Sequence, residues 1–543
     1  MAKENNNRVN FTKRHLHGGW AKYLPAISGF YTTHLGKDLS NPEFIPQSRV
    51  PANFELGMQG LNFLDEDNSY YNYKFGLYSA GHAERNLAKC NDREPMIHRR
   101  DRTKTILIGD SGGFQIATGV IKVDWTTVKT PAGDKLREEI LRYLEHTADW
   151  SMTLDVPAFA AVPPLSEKTG LTKFSDCLDV TEYNLHYFMK HRIPGKTKFL
   201  NVLSGTDDDN SKEWYDAVKV FSQPEMVTAM GYSADRTFEG WAFAGINMKR
   251  MKCVLNRLLD LRDDGLLDSK DWIHFLGIGR LDWACYLTSI ERTLRKYDNP
   301  NINISFDAAS PFVAAGGYAL SYNYNKFSAN QLTYAMGRGV DNKALKGSTE
   351  AMPFQGPINE RLTVGDMCVM GPTDTNKHGK IGNTSWDTTS YALVMAHNVY
   401  NHIQAIQEVN RLADMEYSRL PATDIKNWIL RPGGKPTSSK ADNLSAHIPN
   451  EIIYFNSFVK ELFDPANTNP RKMIEDNSEF LSYISFDKDN AKEKIKEKEE
   501  AVKNEQLSAL WDISITNIVV VPTVDALAVS DDNHLVDELL DDE

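Results

Sequence analysis

The chain has 543 residues, enough for one large catalytic domain with appendages or for roughly three average domains. Its 41% apolar and 25% charged residues, with no uncharged apolar run of membrane-spanning length, exclude an integral membrane protein, so we expect a cytoplasmic protein without a membrane partner. Five widely separated cysteines with no CxxC pair argue against a disulfide framework.

The formal charge of −12 argues at first against a nucleic-acid partner. From residue 484 to the end, however, 16 acidic residues against 6 lysines account for −10, which leaves −2 for residues 1–483. A nearly neutral body can carry basic patches, and residues 13–17 (KRHLH) and 98–104 (HRRDRTK) are the candidates. Charge runs are more often an ordinary solvated face, and we favour that interpretation at both places.

Short apolar runs typical of buried strands recur along the chain, with longer helix-compatible stretches between them. We predict strands at 24–28, 73–79, 105–108, 151–156, 199–203, 241–246, 273–278 and 302–306. Amphipathic patterns at 135–150 and 283–297 predict helices between them. This alternation implies parallel strands with crossover helices, and eight such units favour an α/β fold of the (β/α)8 TIM-barrel class over an open sheet.

The pattern loosens after the eighth predicted strand. Residues 316–385 are rich in Gly, Asn, Pro and Thr, and we interpret them as an insertion that retains aromatic residues: Tyr318, Tyr322, Tyr324 and Phe354. A helix is predicted over about 390–414, an exposed charged helix after 485, a strand at 515–524 and an acidic tail, which we expect to confer solubility. The predicted divisions are 1–100 with the first strands, 101–415 as the catalytic barrel, 416–485 as a helical subdomain, and 486–543 as charged helix and tail.

The segment at 106–118, ILIGDSGGFQIAT, ends an apolar run in a cluster of groups that could bind a flat ligand. These residues are Asp110, Ser111, Gly112, Gly113, Phe114 and Gln115. Glycines let a ligand approach the backbone, the Phe ring offers a stacking face, and the Gln amide both donates and accepts. An ordinary strand followed by a Gly-Gly turn and a solvated Asp remains an equal alternative from spacing alone.

Several predicted strands end in polar residues or glycine, at the edge where (β/α)8 barrels place their active sites. These residues are Asp110, Asp155, Ser204, Gly245, Gly277 and Asp307. Polar strand endings are expected of loops in general, so the three aspartates are the informative members.

Together with these aspartates, DSGGFQ resembles the signature of the tRNA-guanine transglycosylase superfamily, whose barrel enzymes exchange guanine for a 7-deazaguanine. The similarity continues in order through residues 105–415, in SMTLDVPAF at 151–159, VLSG at 202–205, WAFAGI at 241–246, FLGIGRLDW at 275–283 and ISFDAASPF at 304–312.

The resemblance implies a role for each matching residue. Asp307 would be the nucleophile, which forms a covalent glycosyl intermediate, and Asp110 the acid/base, which would need burial or a nearby carboxylate to hold a proton. Asp155 would accept hydrogen bonds from guanine. The remaining substrate-binding positions are Ser111, Gly112, Gly113, Phe114 as one face of a base sandwich, Gln115, Ser204, Gly205, and the backbone of Gly245 and Ile246 at the base edge. For Asp307, a helix N-cap after a strand is the structural alternative.

This chain departs from the family pattern at two places. Ser204 stands where the tRNA enzymes have a Gln, so base recognition must differ or involve water. Of the family's structural zinc site only Cys368 and His397 remain, 29 residues apart, with Asp366 and Gly371 in the other two places. Two good ligands do not close a tetrahedral site, so we expect no cofactor and no zinc there, with a packed helix histidine as the role of His397.

The degraded zinc region, and the lack of a segment resembling the archaeal C-terminal tRNA-binding modules, favour the DNA-modifying branch of the superfamily, the DpdA-type DNA-guanine transglycosylases of phages and bacterial modification islands. The expected partners are DNA and a free 7-deazaguanine such as preQ0, with helper proteins for duplex opening and host cytoplasm as the location if the gene is phage-borne. A duplex substrate needs base flipping or melting, for which the aromatic insertion could supply a stacking surface. Alternatives are a tRNA substrate, a catalytically inactive nucleic-acid-binding barrel, and a hydrolase of free nucleosides.

Overall fold

Eight short parallel strands form the centre of the protein in a computed structural model, which describes residues 9–10, 19–40, 45, 47–375 and 380–486. The strands are β1 (Lys22–Pro25), β2 (Phe75–Ser79), β3 (Ile106–Asp110), β4 (Trp150–Met152), β5 (Lys198–Leu203), β6 (Gly240–Phe243), β7 (Trp272–Phe275) and β8 (Asn303–Ala308). Each lies at a predicted strand.

The strands close into a barrel. Their order in the sheet is β1-β8-β7-β6-β5-β4-β3-β2, and every neighbouring pair is parallel. The two ends of this order meet through a parallel bridge between Ala26 and Leu77, where the Ile27 N–H donates to the Leu77 carbonyl at 2.9 Å. The predicted (β/α)8 TIM barrel is therefore confirmed.

Burial on both faces explains why these strands are nearly continuous apolar runs. All four residues of β6 and of β7 are buried, and Trp150 and Trp272 pack their rings 5.3 Å apart. Side chains fill the inside of such a barrel while helices cover its outside, so few positions are left to solvent. A polar side chain within these strands is therefore an exception, and we expect it to have a specific hydrogen-bond partner.

Helices surround the barrel and extend beyond it. They are α1 (Gly29–Ser40), α2 (Cys90–Arg93), α3 (Pro95–His98), α4 (Gly113–Thr118), α5 (Asp134–Thr147), α6 (Leu165–Thr169), α7 (Phe174–His191), α8 (Asp208–Val218), α9 (Pro224–Ala229), α10 (Met251–Asp263), α11 (Leu281–Tyr297), α12 (Ser310–Tyr318), α13 (Val364–Met367), α14 (Thr388–Arg419), α15 (Ala422–Ile425), α16 (Asn450–Leu462), α17 (Pro470–Asp476) and α18 (Ser478–Tyr483). The predicted helices at 135–150, 283–297 and 390–414 correspond to α5, α11 and α14.

The region predicted as an insertion contains an antiparallel hairpin, β9 (Leu320–Ser328) with β10 (Gln331–Arg338), which bulges between Tyr322 and Tyr324. The long helix α14 packs against this hairpin, α12 and α11. It begins with a capping box in which the Asp387 carboxylate accepts from the Ser390 N–H at 2.9 Å. The hairpin is thus fixed to the barrel through α14.

The predicted boundary at 415/416 falls inside α14, and α16 beyond it packs on α11 of the barrel. The end of the described chain returns to the same helix, because the Ile484 carbonyl accepts from the Trp283 indole N–H at 3.2 Å. Of the charged helix, strand and acidic tail predicted for 486–543, residues 487–543 lie outside the described residues. In the described ranges we find no helix that combines the length and the apolar character needed to cross a membrane.

Candidate active site

The carboxyl ends of the eight parallel strands meet at one rim, and the predicted site residues lie along it. Asp110 is the last residue of β3 and Asp307 the penultimate residue of β8. Asp155 follows β4 by three residues, Ser204 directly follows β5, and Gly245 follows β6 by two. The barrel therefore brings together side chains that are almost two hundred residues apart in sequence.

Asp307 is 8% exposed and is held through one of its two carboxylate oxygens. Oδ1 accepts hydrogen bonds from His274 Nε2 at 3.1 Å and from the Gly277 N–H at 2.8 Å. Gly277 has a φ of +66°, a conformation that glycine adopts without strain. No hydrogen bond from the described residues reaches Oδ2, so this oxygen is available to a ligand.

A chain of buried polar groups fixes the donor to Asp307. The Trp272 indole N–H donates to Ser305 Oγ at 2.7 Å, and Ser305 Oγ lies 2.8 Å from His274 Nδ1. An ionised Asp307 can only accept, so Nε2 carries the proton, and in the neutral ring Nδ1 accepts the Ser305 hydroxyl proton. His274 and Ser305 are opposed in the pairing of β7 with β8. Sequence analysis missed this chain, although Ser305 and Asp307 stand two apart on one strand face.

The surroundings of Asp110 raise the pKa of its carboxyl. Burial raises the pKa of this carboxyl, and the negative charge of Asp307 raises it further, while hydrogen bonds from the Ser79 hydroxyl and the Gly112 N–H act in the opposite direction. Ser79 is the residue opposite Asp110 on β2. The sequence analysis named two conditions that could raise the pKa of Asp110, burial and a nearby carboxylate. Both act on Asp110 in the structure.

Asp155 is buried, and it interacts with Asp110. Burial in the first place, and then the charge of Asp110, raise the pKa of Asp155 to about 7. Gly113 makes this packing possible, because a Cβ on it would lie 2.4 Å from the Asp155 carbonyl oxygen and 2.9 Å from Oδ1. The segment after β3 can therefore lie directly on Asp155 only with glycine at this position.

Asp110 thus interacts with a carboxyl on either side, Asp155 and Asp307. In the described part of the chain no Lys or Arg forms an ion pair with any of the three. Neighbouring carboxyls without cations separate into proton-holding and ionised members at neutral pH. Such a site can combine a nucleophilic carboxylate with a carboxyl that gives and takes a proton.

The loops after β5 and β6 meet beside these carboxyls. Gly245 has a φ of +58°, and a Cβ there would lie 2.4 Å from the Gly205 carbonyl oxygen and 3.2 Å from Ser204 Oγ. The backbone of Gly245 and of Ile246 was predicted to bind the base edge. The Ile246 N–H donates to the Gly205 carbonyl at 2.9 Å, whereas the Gly245 N–H has no acceptor among the described residues. Sequence analysis missed Asn247, whose amide donates to the Ser204 carbonyl at 3.0 Å and fixes the two loops.

The remaining residues of the DSGGFQ segment divide into structural and ligand-facing groups. Ser111 is buried and its hydroxyl donates to the Thr153 carbonyl at 3.1 Å, which joins the ends of β3 and β4. The Gln115 amide contacts Ser79 at 3.4 Å and His82 at 3.0 Å.

Gly112 adopts a left-handed conformation with φ +83°, and a Cβ on it would lie 2.9 Å from the Gly81 nitrogen. Phe114 is half-buried, and its ring meets that of Phe159 edge to face at 5.9 Å. Phe159, which follows Asp155, is a second aromatic group at the rim that the sequence analysis did not select. Phe114 is therefore the member of the segment best placed to offer a ring face to a ligand.

The residues at the positions of the family's zinc site do not fit a metal. Cys368 is buried with its thiol 3.3 Å from the Val340 carbonyl, and His397 Nε2 lies 2.9 Å from the Tyr322 carbonyl. Burial lowers the pKa of His397 to about 4, as expected of a packed helix histidine. Asp366 caps α13 instead, and no group of three potential ligands in the described ranges includes any of these positions.

The candidate basic patch at 98–104 is neutralised by carboxylates of the same chain. Arg100 and Arg102 both pair with Asp149, at 2.8 and 3.0 Å, and Arg99 pairs with Asp92 at 2.6 Å. Lys104 pairs with Asp67 at 2.9 Å. The other candidate, 13–17, lies outside the described residues.

The insertion places part of its aromatic surface in solvent. Tyr318 is 50% exposed and Tyr324 56% exposed. Tyr322, in contrast, is buried and stacks on Tyr334 at 5.1 Å. Tyr318 and Tyr324 therefore remain candidates for stacking on a base.

Comparison with known proteins adds no family to this geometry. No protein-family model matches the chain, and no curated protein matches it.

Proposed function

We propose that this protein exchanges guanine for a 7-deazaguanine base in DNA by double displacement. Asp307 Oδ2 attacks C1′, forming an ester to the sugar while the bond from C1′ to guanine N9 breaks, and neutral Asp110 gives its proton to the departing base. The incoming base then loses its N9 proton to Asp110, attacks C1′ and releases Asp307. Two inversions at C1′ retain the configuration.

The carboxyl array at the rim is the observation that carries this proposal. Asp307 has one oxygen held by two donors and the other without a partner among the described residues, while burial raises the pKa of its neighbour Asp110. A hydrolytic barrel could use a similar pair, but the third carboxyl, Asp155, adds an acceptor for the adjacent N–H groups of guanine. Phe114 and the Gly245 N–H complete a place for a flat base.

DNA is the polynucleotide that the proposal favours. The positions of the zinc site that accompanies tRNA binding in the resembling enzymes are occupied here by groups engaged within the protein. The exposed rings of Tyr318 and Tyr324 offer stacking surfaces for bases displaced from a duplex.

The test is incorporation of labelled guanine into DNA and into tRNA by the wild-type chain, D307A and D298N. Asp298 is a matched control, because burial raises its pKa to about 6 although it lies beyond α11, before β8 and away from the rim. We expect exchange into DNA by the wild type and D298N only, with a covalent protein–DNA complex that survives denaturation and is absent in D307A.

Other outcomes identify the alternatives. Exchange into tRNA alone overturns the DNA assignment. Binding of DNA without exchange or covalent complex indicates an inactive barrel, and release of free base from nucleosides indicates a hydrolase.

A further inference from the structure

A cysteine and two histidines meet on the outside of the barrel, away from the rim carboxyls. Cys90 begins α2, His98 ends α3, and His146 lies in the last turn of α5. One potential ligand atom from each lies within 4.8 Å of the other two. The side chains of Cys90 and His98 are fully buried, whereas His146 is exposed.

The ring of His98 is oriented as a metal ligand would be. Its Nε2 lies 3.4 Å from the Glu94 carboxylate and 3.5 Å from the Tyr143 hydroxyl. Its Nδ1 is buried and has no hydrogen-bond partner in the described structure. A carboxylate on one nitrogen, with the other nitrogen free, is the usual arrangement around a metal-bound histidine.

Glu94 is itself held in place, which makes the orientation of His98 specific. This carboxylate is 1% exposed and accepts from the Tyr78 hydroxyl at 2.7 Å and from the Glu84 N–H at 2.9 Å. An unpartnered imidazole nitrogen inside a protein is otherwise unfavourable, because it has lost its hydrogen bond to water. A cation bound at this nitrogen would satisfy it.

We propose that Cys90, His98 and His146 bind one zinc ion, with water as the fourth ligand. Thiolate and imidazole together are a zinc-preferring donor set. Zinc lies about 2.3 Å from sulfur and about 2.0–2.1 Å from nitrogen, so its ligand atoms are roughly 3.3–3.6 Å apart. Exposed His146 can close the difference by rotating inward, and solvent at its side supplies the water. The Cys90 proton is released to solvent on binding.

The ion would join the connection between β2 and β3 to α5, the second helix after β3. Cys90 and His98 precede β3, which carries Asp110, and His146 belongs to α5, which follows it. Arg102, which donates to the His146 carbonyl at 3.2 Å, is paired with Asp149. The site is therefore a structural clip on the strand of the acid/base residue, independent of the proposed exchange reaction.

The test measures zinc content and affinity of the full-length, untagged chain by elemental analysis and competition with a chelating dye. We expect about one zinc per chain, and a loss of affinity beyond about 100-fold in C90S and in H146N, more than an outer-shell substitution causes. Cobalt in place of zinc should give a thiolate-to-metal absorption band that C90S lacks. Since His146 is exposed, H146N keeps the fold even if C90S does not.

Three controls make the result specific. C177S changes another buried cysteine, H186N another exposed histidine, and C368S the residue at the zinc position of the resembling family. All three should bind zinc as the wild type does. The proposal is overturned if the wild type binds no zinc at micromolar concentrations, if C90S and H146N bind it unchanged, or if C368S alone removes it.

Discussion

Two charged regions of this barrel follow opposite rules. At the rim, Asp110 interacts with two other carboxyls and with no Lys or Arg of the described residues, and its pKa is raised. At 98–104, each Arg and Lys has a carboxylate partner. Like-charged groups without counter-ions are unfavourable in a fold, so the rim is the candidate for a functional site, whereas the paired charges at 98–104 need no functional explanation.

The largest expected effect follows from removing Asp110, the proposed proton carrier of the rim. Asp110→Asn keeps the shape of the side chain but can neither give nor take a proton, so kcat for base exchange should fall by about 10² to 10⁴-fold. Single-turnover measurement of the covalent protein–DNA complex checks this, since the defect should lie in its formation. D298N is the control. If D110N exchanges base at a rate within about threefold of the wild type, the Asp110 carboxyl does not transfer the proton.

Binding of the base should depend on the ionisation of Asp155. Guanine N–H groups need the ionised carboxylate, so with a pKa of about 7 the KM for the base should rise about tenfold per pH unit as pH falls below that value. D155N should bind the base weakly at every pH, with a flat profile. A profile in the wild type that is equally flat from pH 5 to 8 contradicts this role.

The same substitution should stabilise the folded protein at alkaline pH. Since the folded-state pKa of Asp155 exceeds the unfolded value of about 3.9, its contribution is complete below that value and is lost as pH rises through about 7. D155N, which stays neutral, should therefore unfold at a higher temperature than the wild type at pH 8 and at a similar one at pH 4. Thermal unfolding at both pH values measures the difference.

The sequence predicts which residues lie at the rim of the barrel, but not the contacts among them. The eight strands are apolar because they are buried on both faces, and the three aspartates follow from motif order, so both could be predicted. His274 bonds Asp307 only because β7 and β8 pair in a register that places His274 opposite Ser305. That register depends on the closed barrel, and no local pattern in the sequence contains it.

Long-range contacts also decided the basic segment. Arg100 pairs with Asp149, which lies 49 residues later in the sequence and directly before β4, so the charge run alone could not reveal its neutralisation. The Cys90, His98 and His146 cluster could not be predicted either, because His146 is far from the other two in the sequence and meets them only in the fold. The engagement of the Ile246 N–H by the Gly205 carbonyl likewise depends on two loops that meet only in the fold.

A smaller effect should come from the buried support of Asp307. His274→Phe keeps a ring but removes the N–H to Oδ1, a hydrogen bond to a charged group worth about 1.5–3 kcal/mol. We expect kcat to fall roughly 10- to 100-fold while the KM for the base is unchanged, because the base contacts other residues. W272F removes the donor one step earlier in the chain and should have a weaker effect, whereas an equal rise in KM in both variants would indicate a general structural role.

The smallest effect is expected from the paired charges at 98–104. Arg99 and Lys104 are on the surface and engaged with Asp92 and Asp67, so neither is free to neutralise a phosphate. R99A/K104A should leave the unfolding temperature, the affinity for duplex DNA and its salt dependence as in the wild type. If DNA were bound through this segment, the slope of log affinity against log salt would instead become shallower by about 2, since each side chain that neutralises a phosphate adds roughly one to that slope. In that case the pairing of charges at 98–104 would no longer distinguish a structural segment from the candidate functional rim.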